Sequence, residues 1–202
     1  MTLKLNGSTS GYTAIDAPAS AGSNTLVLPT SNGSANQVLK TDGSGNLSWV
    51  AQTAAATNTP AFQVNNSGAG DHQTIASGGT QVKVEFATEV LDTDGCFANH
   101  TFTPTSAGWY WFTCSLLMNF GEAEDEYATM HLYKNGSEIF AQRTIEGVGT
   151  MSQNLAFSFM AQANGSGDYF NIYCHHYAGS TREVDKNALL TWWNGFKLIG
   201  LS

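Results

Sequence analysis

Between Trp109 and Met118 the sequence alternates without interruption. Tyr110, Phe112, Cys114, Leu116 and Met118 fall on one parity, and Trp109 and Trp111 begin the other. A side-chain repeat of two is that of a β-strand, so this segment reads as a strand whose two faces are both apolar at its start. Such a strand must be covered on both sides. In a two-sheet sandwich the opposite sheet covers one face, and a neighbouring subunit is the simplest cover for the other.

The same period recurs elsewhere, and no stretch of a dozen residues keeps the spacing of an amphipathic helix. Val82, Val84, Phe86 and Val90 alternate with Lys83, Glu85 and Glu89, which predicts a half-buried strand. Met130 and Leu132 precede Asn135-Gly136, with Ile139 beyond. Asn-Gly accepts positive φ at both turn positions, so a tight hairpin is expected. Leu155, Phe157 and Phe159 and then Phe170, Ile172 and Cys174 read as two further strands, with the turn cluster Asn164 to Asp168 predicting a second hairpin between them.

Composition changes near residue 60. Of the first 60 residues 38 are Ser, Thr, Asn, Gly or Ala, and Tyr12 and Trp49 are their only aromatics out of 23 in the chain. The later part can therefore build a core, whereas the first has short strand-like pieces such as Leu3–Leu5 and Leu47–Val50 that need association to become ordered. The expectation is an all-β chain with a β-rich stem over residues 1–51, a linker over 52–60 and a jelly-roll β-sandwich over 61–202.

Charge divides at the same place, since residues 61–202 hold the whole net −8. An acidic surface repels phosphate, so nucleic-acid binding is not expected. No apolar run reaches the length of a membrane span, and the N-terminus lacks the pattern of a signal peptide; no membrane insertion is expected, and assembly would take place in a cytoplasm. Cys96, Cys114 and Cys174 have neither disulfide nor zinc-ligand spacing and read as small buried hydrophobes. No nucleophile beside a base, paired catalytic carboxylates or phosphate-binding glycine loop is recognisable, so an enzyme is not expected.

With the strands placed, residues 61–200 resemble the globular head of complement component 1q, within the tumour necrosis factor-like trimeric jelly rolls. The similarity rests on ordered landmarks: Ala61-Phe62, Val84-Glu85-Phe86, Phe102, Gly108-Trp109-Tyr110-Trp111-Phe112, Leu132-Tyr133-Lys134-Asn135-Gly136, Gly167-Asp168 and Trp193-Asn194-Gly195-Phe196. It implies a homotrimer, with Tyr110 and Phe112 filling the sandwich and Gly195 leaving room for an aromatic. Expected core residues are Phe62, Phe86, Phe102, Tyr110, Phe112, Leu132, Phe157, Ile172 and Phe196. Segments before residue 50, among them Asn24-Thr25-Leu26-Val27-Leu28-Pro29 and Gln37-Val38-Leu39-Lys40-Thr41-Asp42-Gly43, resemble pieces of tailed-bacteriophage fibre and decoration proteins, notably those of cyanophages.

Glu122, Glu124, Asp125 and Glu126 offer the hard oxygens that Ca²⁺ takes, with Asp92 and Asp94 as further ligands if the fold brings them near. The cluster also reads as a solvated acidic loop, because it lacks EF-hand spacing; no other cofactor is expected. His175 and His176 are neighbours on a strand and point to opposite faces, so they cannot chelate one ion together, and one is expected inside and one on the surface. Tyr169, Tyr173 and Tyr177 share a strand face and, with Trp109 and Trp111, form the expected trimer interface; the tyrosines read alternatively as a platform for glycan or protein. The resulting expectation is a virion structural protein, a trimeric fibre knob on the virion surface mediating host attachment through a surface glycan or protein. Residues 1–60 would join other virion proteins. The alternative is a cement or decoration protein of the phage head.

Overall fold

A computed structural model describes residues 2–53, 56–67, 72–119, 127–145 and 152–201. The chain divides into two units, Met1–Ala55 and Ala56–Ser202, a break that falls inside the stretch expected to be a linker. Every regular element among the described residues is a β-strand.

In the first unit β1 (Leu3–Asn6) pairs antiparallel with β2 (Tyr12–Ile15), and β3 (Gln37–Thr41) with β4 (Leu47–Ala51). A parallel bridge from Val27 to Asn46 ties the segment between the ribbons to the second one. No residue of 2–53 is buried. Two-stranded ribbons are marginal in water, and here Leu3, Leu5, Tyr12, Ile15, Leu26 and Leu28 are all exposed.

The second unit is a sandwich of two sheets. One runs β6 (Gln73–Ile75), β16 (Arg182–Val184), β11 (Ala107–Asn119), β17 (Trp192–Lys197), β5 (Ala61–Asn65) and β8 (Thr88–Asp92), with β14 (Ser152–Asn164) along the other edge of β11. The second runs β13 (Ser137–Ile145), β12 (Tyr127–Lys134), β15 (Phe170–His176), β10 (Thr101–Phe102) and β9 (Phe97–Ala98), with β7 (Val82–Lys83) pairing with β15. Their inner faces meet where the ring of Phe62 lies 4.3 Å from Phe102 and that of Phe112 lies 4.8 Å from Phe170. Phe62, Phe86, Phe102, Tyr110, Phe112, Leu132, Phe157 and Ile172 are all buried in one core. Burial of an aliphatic or phenylalanine side chain of this size stabilises by about 1.5–3 kcal/mol.

Three expectations need correction. Phe196 is 37% exposed, because Trp193 and Gly195 hold the inward parity of β17. A Cβ on Gly195 would come within 2.6 Å of the Phe112 ring, so glycine is required there, and Trp193 supplies the buried aromatic. Val82 to Val90 is not one strand: β7 ends in one sheet and β8 begins in the other, and Val84 and Phe86 are buried in the crossing between them, while Val90 is exposed. Nor do β14 and β15 form a hairpin, since they lie in different sheets. The Asp168 carboxylate explains the crossing. It accepts the Asn164 N–H at 2.8 Å and Asn135 Nδ2 at 2.7 Å and pairs with Lys134 at 2.9 Å, fastening the loop to the other sheet's turn. That turn has φ of 53° at Asn135 and 76° at Gly136, as its sequence requires.

The three cysteines are buried free thiols. Burial pushes the Cys174 thiol up to about 12 and Cys114 well above its ordinary value, so both stay protonated and unreactive.

Candidate functional site

Each sheet turns one face away from the core, and the two faces differ. On the seven-stranded sheet the register sets Met160 of β14, Trp111 of β11 and Phe196 of β17 side by side, with Ala61 of β5 completing the row. Met160 is 46% exposed, and Trp109 and Trp111 are half-buried. Further along β11 the same face is closed by the chain itself. Ser115 Oγ donates to the Leu190 carbonyl at 2.8 Å, and Thr191 Oγ1 accepts the Leu117 N–H at 3.3 Å. The turn before β17 thus covers the far half and leaves the tryptophan half open. Exposed apolar residues are ordinary singly, but a contiguous row marks an interaction surface.

Tyr169, Tyr173 and Tyr177 do not belong to this surface. They lie on or beside β15 in the other sheet, so the five residues expected at one interface occupy opposite faces of the sandwich. The Tyr173 ring is 4.6 Å from Tyr133, and the Tyr177 ring is 4.9 Å from Tyr127. Between these pairs His131 and His175 stack at 4.9 Å, with His131 Nε2 and His175 Nδ1 2.8 Å apart. Glu138 Oε2 lies 2.7 Å from His131 Nδ1, close enough for an ion pair yet off the line of a ring N–H, so the contact is electrostatic rather than a well-formed hydrogen bond. The Arg143 guanidinium lies 4.1 Å over the Tyr127 ring. Burial holds both imidazoles below their ordinary pKa; Arg143 lowers both further, and Glu138 partly restores them.

His175, expected either inside or at the surface, is on the outer face but buried beneath the tyrosines. His176 is fully buried, with Nε2 on the Ile75 carbonyl and Nδ1 accepting the Ala178 N–H. Neither is arranged to hold a metal, and the described residues contain no group of three His, Cys, Asp or Glu side chains that could. The candidate calcium ligands Glu122, Glu124, Asp125 and Glu126 lie outside the described residues. Asp92 uses its two oxygens on the Cys96 and Phe97 N–H groups. Sequence reasoning missed Met160 and Phe196 as partners of Trp111, although strand parity alone would place them on one face once the pairing was known.

No protein-family model and no curated protein matches the sequence. Among solved structures the chain is similar to murine APRIL, crystallised at pH 5.0, with a TM-score of 0.50 and 11% identity over 68% of this chain and 98% of that one. An identity that low speaks for the fold alone, which is a tumour necrosis factor-like jelly roll.

Proposed function

We propose that the chain is a non-enzymatic structural protein of a bacteriophage virion, a homotrimer whose jelly-roll unit is displayed as a knob and attaches the particle to its host. The observation that carries this reading is the open apolar row of Met160, Trp111 and Phe196. A second copy covers it, and the known trimeric habit of the resembled family makes three copies around an axis the natural closure. Multivalent display then raises avidity without any new chemistry. The first unit fits a stem, because Leu3, Leu5, Tyr12, Ile15, Leu26 and Leu28 are exposed within 2–53 and would be covered by neighbouring copies or other virion proteins. The same exposure favours a second reading, a cement protein that clamps neighbouring capsomers of the phage head.

Deleting residues 1–60 tests both. The remaining unit is expected to stay trimeric and to be absent from purified particles, and those particles to lose adsorption. Lost heat resistance of the capsid with normal adsorption would establish the cement reading instead. Incorporation of the truncated protein into particles would refute the role given to the stem.

A further inference from the structure

The two ribbons of the first unit distribute their apolar residues differently. In β1–β2 they share one face: Leu3 stands opposite Ile15 and Leu5 opposite Thr13, while Lys4 lies over the Tyr12 ring on the other face. In β3–β4 both faces are apolar. Directly opposed residues point the same way, so Val38 and Val50 occupy one face, and Leu39 and Trp49 the other. Val38 is 43% and Leu39 44% exposed, so neither face is closed. The chain covers only the tryptophan. Its ring lies against Gly33, where a Cβ would come within 2.6 Å of it, and its Nε1 donates to the Ser31 carbonyl at 2.7 Å. Beside this ribbon Leu26, Val27 and Leu28 are each more than half exposed, although Val27 is bridged to Asn46. A two-stranded ribbon with two open apolar faces is marginal alone and can be closed only from both sides.

We propose that the β3–β4 ribbons of three copies of this chain pack against one another, each turning its Val38 face to one neighbour and its Leu39 face to the next. The inference rests on the trimer proposed above and narrows the cover of the stem to further copies of the chain. The two open faces favour this occupant. Docking on a single surface of another protein closes one face and leaves the other in water, as does pairing with one copy, whereas a closed ring of three gives every ribbon two neighbours through one repeated contact. Charge is compatible with it, since Lys4 and Lys40 offset Asp16 and Asp42 in residues 1–60 and the net −8 lies wholly in residues 61–202. Tethering adds to it. The nine residues 52–60 span at most about 30 Å, so three ribbons joined to one trimeric knob meet at an effective concentration in the millimolar range, which a separate partner has to match.

Amide hydrogen exchange over Gln37–Ala51 is measured in the purified full-length protein, alongside its sedimentation mass, for the wild type, Leu39→Asp and Trp111→Asp. The wild type is expected to exchange about tenfold or more slowly across the ribbon than either variant. Leu39→Asp should do so at the full assembled mass, because it leaves the knob untouched. Trp111→Asp should do so as a monomer with its ribbon sequence intact, which separates the loss of neighbours from damage to the ribbon itself. Equal exchange in the wild type and Leu39→Asp would overturn the proposal, as would a monomeric Trp111→Asp that keeps the slow exchange. A purified trimer whose ribbon exchanges freely, and slows only on intact particles, would assign the cover to another virion protein and refute the packing while leaving the trimeric knob standing. A wild type that sediments as a monomer refutes the trimer and the packing together.

Discussion

The two outer faces of the sandwich have similar aromatic content and opposite needs. On the six-stranded sheet Tyr133 leans on Tyr173, Tyr127 on Tyr177, and His131 on His175, with Arg143 over Tyr127 and Glu138 beside His131. His131 Nε2 meets His175 Nδ1 at 2.8 Å, Glu138 faces His131 Nδ1 electrostatically, and the rings shield one another. On the seven-stranded sheet Met160 and Phe196 are exposed on either side of a half-buried Trp111, and no ring stacking or ion pair closes that row among the described residues. Aromatic residues on an outer face therefore do not by themselves call for a subunit. What decides is whether their neighbours can close the surface locally.

The largest expected effect is on assembly. Trp111→Asp places a carboxylate between Met160 and Phe196, where burial against a second copy would leave the charge unpaired, a cost of several kcal/mol. The variant is expected to sediment at one third of the wild-type mass, while Tyr173→Asp, on the other face, keeps the full mass. A trimeric Trp111→Asp, or a monomeric Tyr173→Asp, would break the distinction between the faces.

Acid probes the polar face next. His131 and His175 both have lowered pKa values in the folded chain, chiefly through burial. The folded state then binds fewer protons than the unfolded one, so stability is complete above the unfolded histidine pKa of about 6.5 and declines as pH falls through it. The melting temperature is expected to be a few degrees lower at about pH 5 than at neutral pH, and this difference should shrink in the double variant His131→Gln/His175→Gln. Equal acid sensitivity in that variant would show that the stacked pair is not the source.

How much of this was legible in the sequence depended on whether the deciding contact was local. β11 shows itself because Tyr110 to Met118 keep one parity throughout, and the Asn135-Gly136 turn because its φ requirements belong to two adjacent residues. Phe196 was misplaced because Trp193 and Phe196 differ in parity, so only one can enter the core; the choice is made by Gly195 lying against Phe112, a contact across strands. The crossing from β14 to β15 looked like a hairpin because Asp168 takes its decisive partners from Lys134 and Asn135, some thirty residues earlier. The His131–His175 pair joins residues with no local signal at all.

Arg143 offers the finest test of the contrast, because one side chain touches both the packing and the titration of the polar face. Its guanidinium lies over Tyr127 and its Nε donates to Thr129 Oγ1 at 3.2 Å, at an exposed position where a cation–π contact contributes about 0.5–1 kcal/mol. Arg143→Ala should therefore lower the melting temperature slightly at neutral pH and leave the assembled mass unchanged. The same positive charge holds both imidazoles down. Its removal moves their pKa values back toward the unfolded one, so the variant should lose less stability on acidification than the wild type does. Melting curves at both pH values read the two effects separately: a neutral-pH loss without the reduced acid sensitivity would place Arg143 in the packing of the face but outside the electrostatics of the histidine pair.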